Sequence, residues 1–226
     1  FIKKFGNPKL TIDEKKKLIT IIIKGIDEKI LFINSKLYGW DIKVLANKVN
    51  SQKSQESRID SNLLTSLITI KDSHFEELKI YIEGGKSEDS LNIINSFGSI
   101  NEIDIKNSFQ DAIDFDFSDL KVDEIKVKNS GNDCIDTSAG KYFIKKITLD
   151  GCKDKGVSVG EESNLRVLDA VIKNSNIALV SKDFSTLIVN NAYLKNNSLC
   201  AAAYNKKQEF GPSYIAIPTK LCPKEK

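Results

Sequence analysis

The stretch that decides the fold is residues 100–157, INEIDIKNSFQDAIDFDFSDLKVDEIKVKNSGNDCIDTSAGKYFIKKITLDGCKDKGV. One pattern occurs in it three times. Ile103 and Ile105 precede Asn107, Ile125 and Val127 precede Asn129, and Ile147 and Leu149 precede Gly151. The pattern continues downstream as Ala170/Ile172 before Asn174 and Ala192/Leu194 before Asn196, and upstream as Ile80/Ile82 before Gly84. Along the column Asn107, Asn129, Gly151, Asn174, Asn196 the steps are 22, 22, 23 and 22 residues. Each apolar pair alternates with polar residues, the period of a half-buried strand. A second column, Leu91, Ile113, Ile135, Val157, Leu179, keeps a step of 22 throughout. Small residues run beside it at Ser90, Ala112, Cys134, Gly156 and Ala178.

Two columns in register over five repeats predict a solenoid. The fold class expected is all-β: a right-handed parallel β-helix from about Leu64 to the C-terminus, with about 7 rungs of some 22–23 residues. A rung of that length has room for about three short strands, stacked roughly 4.8 Å from the next. Hexapeptide helices are excluded by the absence of a six-residue period, and leucine-rich repeats by the absence of a Leu-x-x-Leu-x-Leu signature. The Asn107–Asn196 column reads as an asparagine ladder at a left-handed turn, where Gly151 meets the backbone need without an amide.

Outside the regular rungs, residues 1–60 are expected to form an N-terminal cap, an irregular first rung and a polar loop, and residues 61–226 one continuous β-helix. Thr11-Ile12-Asp13-Glu14 has the spacing of a helix capping box. Lys15 to Ile23 then fits a short capping helix or a first strand, the run Ile21-Ile22-Ile23 favouring the strand. Ile30 to Leu45, with Trp40, reads as one irregular rung. Asn47 to Asp60 is polar and aperiodic and reads as a protruding loop. After Tyr204 the pattern decays into a loop over Asn205–Pro212 and a last strand, Tyr214 to Ile217.

Charge is uneven. Residues 1–60 carry 13 Lys/Arg against 7 Asp/Glu, whereas residues 87–137 carry 12 acids against 4 lysines. An acidic middle argues against nucleic acid as a partner along the solenoid. No apolar run is long enough to span a membrane, so membrane insertion is not expected. The chain starts at Phe1 and holds no Met, which suggests a trimmed or mature fragment. Of the four cysteines, Cys134 falls in the small-residue column and reads as a buried core residue. Cys200 and Cys222 are 22 residues apart, one rung, and are candidates for a terminal disulfide that would argue for export.

The acids of the second column region are the candidate chemistry. Alternation from Ile113 through Phe115 to Phe117 points Asp114 and Asp116 outward, and Asp136 stacks on Asp114. Asp89, Asp111 and Asp133 make a further acidic column that Lys155 continues. Two carboxylates one rung apart repel by roughly 3–4 kcal/mol at an effective dielectric of about 20. Lys155 and Lys182, a cation or a retained proton must offset that. The catalytic candidates are Asp114, Asp133, Asp136 and Lys155, and the substrate-binding candidates Asp111, Asp116, Lys182 and Tyr204. Asp111, Asp133 and Asp136 are the candidate ligands if Ca²⁺ is bound.

The rungs resemble the pectin-lyase-like superfamily over roughly residues 64–217. Asp111-Ala-Ile-Asp114, Gly131-Asn-Asp133-Cys-Ile135, Lys155-Gly-Val-Ser-Val-Gly160 and Val180-Ser-Lys182 are similar, in order, to the acidic, acidic, histidine and lysine motifs of polygalacturonase-type glycoside hydrolases. The resemblance implies Asp114 and Asp133 as acid/base carboxylates and Lys182 as a binder of substrate carboxylate. Lys155 stands where those motifs have histidine and Asn132 where they have aspartate. The chain's only histidine, His74, lies two rungs away and reads as a surface residue. Classical polygalacturonase chemistry is therefore not expected. The leading expectation is an extracellular, periplasmic or cell-surface module that binds or processes a polysaccharide. The alternative is a structural or adhesive solenoid without a site.

Overall fold

The computed structural model describes residues 1–47 and 63–218. In chain order the strands are β1 (Ile2–Phe5), β2 (Lys9–Asp13), β3 (Leu18–Ile23), β4 (Lys29–Ile33), β5 (Lys36–Tyr38), β6 (Asp41–Ala46), β7 (Ser66–Lys71), β8 (His74–Glu83), β9 (Asp89–Ile94) and β10 (Phe97–Ser108). They continue as β11 (Asp111–Asp116), β12 (Asp119–Ser130), β13 (Ile135–Ser138), β14 (Lys141–Cys152), β15 (Lys155–Gly160), β16 (Asn164–Lys173), β17 (Ile177–Lys182), β18 (Thr186–Lys195), β19 (Leu199–Tyr204) and β20 (Tyr214–Ala216). Among the described residues no helix occurs. The coils stack in parallel into a β-solenoid of about 8 turns, one more than the repeat alone suggests.

Each regular turn contributes one short strand to a 9-stranded sheet and one long strand to an 11-stranded sheet. We call these the short-strand and long-strand sheets. The three short strands expected per rung are two, because the long strand turns a corner without ending. Ladder pairing skips one position there: it passes from Ile100↔Val122 to Glu102↔Glu124. The buried phase shifts with it, from Ile100 to Ile103 and Ile105. The expected inward columns are all buried, including Leu91, Ile113, Ile135, Val157 and Leu179, each 0% exposed.

Two left-handed turns close each regular rung among the described residues. At one stand Asn107, Asn129, Gly151, Asn174 and Asn196, with φ of 60°, 61°, 79°, 57° and 55°. Asn129 Nδ2 donates to Asn107 Oδ1 at 3.1 Å, Asn196 to Asn174 at 3.2 Å, and Asn174 to Asp150 Oδ1 at 2.6 Å. The amide ladder is as expected, broken only where glycine stands. The other turn lies at the end of each short strand. Its left-handed residues include Asn34, Asp72, Asn95, Phe117, Ala139 and Glu162, and after most of them comes a buried serine. Ser35, Ser73 and Ser96 each donate their N–H to the next serine's hydroxyl, at 3.0 Å every time. Those hydroxyls donate in turn to strand carbonyls, as Ser96 does to Ile94 O at 2.8 Å. At Gly140 the ladder lacks its serine, and the Tyr142 hydroxyl takes that space, accepting from Ser118 N at 3.4 Å. Buried backbone donors at a solenoid corner must find acceptors, and one hydroxyl per rung provides them.

Four expectations are corrected. Thr11–Glu14 opens no helix: β2 and β3 form an antiparallel hairpin, so the strand reading of Leu18–Ile23 holds. Parallel stacking begins well before Leu64, since β3 pairs β6 and β4 pairs β7 in parallel. Phe117 does not continue the inward alternation: it lies past the end of β11, at φ 50°, and is 66% exposed. Cys134 is fully buried but joined to Cys152 by a disulfide. Ser90 and Ser108 occupy the equivalent positions two turns earlier and hydrogen-bond at 3.0 Å, so the disulfide replaces a cross-rung contact that the repeat already makes. Closing a loop of 18 residues stabilises by about 3 kcal/mol. The expected loop over 47–60 and the Cys200–Cys222 pairing lie outside the described residues, apart from Asn47 and Cys200.

Candidate functional site: an acidic cleft on the short-strand sheet

The outward face of β11 and β13 carries Asp114, Asp116 and Asp136 because Ile113, Phe115, Ile135 and Thr137 take the inward positions. Parallel register sets Asp114 directly against Asp136 and Asp116 against Ser138. Asn92, one rung earlier, donates Nδ2 to Asp116 at 3.2 Å and to Asp114 at 3.4 Å. Its own Oδ1 is buried without a hydrogen-bond partner. From the other side Lys182 of β17 reaches back two rungs, with Nζ 3.8 Å from Asp136. Gly160 makes that reach possible, since a Cβ there would sit 3.3 Å from the lysine stem.

Asp114, Asp116, Asp136 and Lys182 line a cleft of about 590 Å³. Its far wall is the segment after β19. Asp183, fully buried, holds that wall by accepting N–H of Lys206 at 2.6 Å and of Lys207 at 2.8 Å. Lys207 Nζ pairs with Glu161 at 2.6 Å across the cleft. Phe117 and Phe210 stand on its rim.

The electrostatics are dominated by burial. Burial first, and then Asp116, Asp89 and Asp136 nearby, push the Asp114 carboxyl well above the usual carboxylate range. Burial raises Asp116 too, with Asn92 pulling the other way and Asp136 and Glu161 adding to the rise. Asp114 therefore holds a proton over a range where a free carboxylate has lost it, beside Asp136, which is ion-paired to Lys182.

The structure brings Asp114, Asp116, Asp136 and Lys182 together and adds Glu161 and Lys207, which alternation alone did not single out. Tyr204 is also near, paired with Lys182 in the ladder. Asp111, Asp133 and Lys155 are placed differently. Asp89, Asp111 and Asp133 do not form a solvent-facing column: they are 2%, 5% and 3% exposed. Asp111 Oδ1 accepts the N–H of Asp133 at 2.7 Å and the side-chain amide of Asn132 at 2.7 Å. Asp133 Oδ1 accepts the N–H of Lys155 at 2.9 Å. These carboxylates satisfy the backbone of the next rung. Burial raises both to about 7, Asp111 against the backbone bond that lowers it and Asp133 with Asp111 adding to the rise. Lys155 bonds Asp154 and lies 3.5 Å from Asp133. Among the described residues no three His, Cys, Asp or Glu side chains are grouped to hold a metal ion, Asp111, Asp133 and Asp136 included.

The chain matches no protein-family model, no curated protein and no solved structure.

Proposed function

We propose that this solenoid binds a polysaccharide in the acidic cleft of its short-strand sheet. The observation that carries the reading is the pairing of Asp114, burial-raised, with Asp136, held by Lys182, on facing ladder positions. Ionised carboxylates accept hydrogen bonds from vicinal hydroxyls, and a protonated one donates. Open clefts with a few convergent polar groups and aromatic rims suit a chain ligand. One acid that keeps its proton beside one that is charged is also the arrangement glycoside hydrolysis uses, with retaining enzymes placing the two carboxyls about 5–5.5 Å apart, close to the ladder spacing. The resemblance to pectin-lyase-like rungs supports the same ligand class. It assigns the second carboxyl to Asp133, whereas burial and backbone bonding of Asp133 favour Asp136. The Cys134–Cys152 disulfide supports an oxidising, extracytoplasmic location.

The rival reading, a structural or adhesive solenoid, draws support from Asp111 and Asp133, whose carboxylates serve the fold. Calorimetric titration against hexasaccharides of glucan, xylan, mannan and polygalacturonate separates the two. The binding reading expects saturable heat with at least one of them. Silence across the panel selects the structural role.

A further inference from the structure

Phe117 occupies a position that its neighbours in the stack fill with other residue types. The equivalent left-handed positions are Asn34, Asp72, Asn95 and Ala139, at φ of 48°, 50°, 45° and 46°. Asn and Asp tolerate this region through local hydrogen bonds, and alanine is small. A phenylalanine at φ 50° strains the backbone, and with its ring 66% exposed it recovers little from burial. Phe184 makes a useful contrast. It too is left-handed and exposed, but it packs on Gly211, where a Cβ would lie 2.9 Å from the ring, and its N–H donates to Gly211 O at 3.0 Å. Phe184 is an anchor for the cleft's far wall. Phe117 forms a ridge between two depressions.

On one side of that ridge is the acidic cleft. On the other is a groove of about 300 Å³, whose opposite wall is Phe97 and whose polar groups include Asp119 and Lys141. Phe97 is 56% exposed. One face of its ring is backed by His74, stacked at 4.3 Å with 20° between planes, and His74 Nδ1 shares a 2.8 Å hydrogen bond with the Tyr38 hydroxyl. The ring is thereby fixed from behind with its remaining surface open. Two exposed phenyl rings, Phe97 held by His74 and Phe117 on its strained turn, border one groove continuous with a carboxylate cleft and suit a ligand that alternates apolar ring faces with hydroxyl edges.

Resting on the binding reading above, we infer that Phe117 and Phe97 are stacking subsites that carry an uncharged polysaccharide out of the acidic cleft, one sugar ring against each phenyl. The uncharged class follows from the cleft itself. Against three lysines, Lys206 and the already paired Lys182 and Lys207, the cleft sets five acids, Asp114, Asp116, Asp136, Glu161 and Glu162. A polyuronate would bring further carboxylates against them.

The test uses the whole chain and titrates cello-, xylo-, manno- and laminari-hexaose, the matching disaccharides, and hexagalacturonate. Phe117→Asn is the decisive variant, because asparagine suits the left-handed turn. It is expected to melt above the parent protein and to bind the preferred hexaose roughly tenfold more weakly. Phe97→Ala is expected to weaken the hexaose and leave the disaccharide in the cleft unchanged. Parent-like hexaose binding by both variants, or hexagalacturonate as the tightest ligand, overturns the inference while leaving the binding reading intact. No binding by the parent protein removes both.

Discussion

The two sheets of this solenoid handle stacked acids in opposite ways. On the long-strand sheet Glu102 faces Glu124 across the ladder, just as Asp114 faces Asp136 on the short-strand sheet. Between the two glutamates sits Lys126, 2.7 Å from one and 2.8 Å from the other, and Lys146 adds a bond to Glu124 at 2.9 Å. Lys126 holds Glu102 below its ordinary range, and Lys126 and Lys146 together hold Glu124 below its own. Among the described residues no lysine bonds Asp114 or Asp116 in this way; an amide, Asn92, bonds them, and burial drives them upward. A neutralised ladder and a frustrated one thus stand on neighbouring faces of the same rungs. Repulsion that the fold relieves on one face and keeps on the other supports the proposed ligand site on the short-strand sheet.

The largest expected effect is in the pH dependence. Asp111 and Asp133 titrate near 7 in the fold and near 4 when unfolded, so between those values the native state holds protons that the unfolded chain has lost. Stability is then greatest below about pH 4 for these groups and declines as pH rises through about 7. Each such group costs the fold at most on the order of 4 kcal/mol by the time pH has risen past about 7. Urea unfolding at pH 4.5 and pH 8 reads this directly, and stability that rises with pH over that interval contradicts the burial-raised state of Asp111 and Asp133.

The paired face should respond weakly and in the other sense. Lys126→Ala leaves Glu102 against Glu124 but on a half-exposed surface, so a loss of about 0.5–1 kcal/mol is expected, and it should fade in 1 M salt. A loss several times larger and insensitive to salt would mean that the long-strand face, too, carries buried charge.

Much of this contrast was written in the spacing of residues. The columns Leu91–Leu179 and Asn107–Asn196 announce stacked rungs because a solenoid maps sequence period directly onto neighbouring strands. Asp114 over Asp136 follows from the same arithmetic. What alternation could not give is behaviour at the ends of strands. Phe117 was extrapolated inward one step past the end of β11, where the chain had already entered a left-handed turn. Asp111 and Asp133 begin their rungs, and there a carboxylate turns to cap backbone N–H groups instead of facing outward. The serine ladder had a signal, a serine recurring at steps of 22 and 23 through Ser73, Ser96 and Ser118, but polar columns draw less notice than apolar ones. The Cys134–Cys152 bond was legible only by comparing columns 18 residues apart, since spacing within one column cannot show a contact across the rung.

The most direct test of the account is the Asp114→Asn/Asp116→Asn double variant, read by melting temperature at pH 8 and by titration with the hexasaccharide that the parent protein prefers. Removing two carboxylates that repel at a buried site should stabilise the fold by roughly 1–2 kcal/mol. The account predicts a higher melting temperature together with at least about a tenfold loss of affinity. A variant that melts higher and binds the hexasaccharide as the parent does would contradict it, because the acids would then be a cost to the fold that serves no ligand.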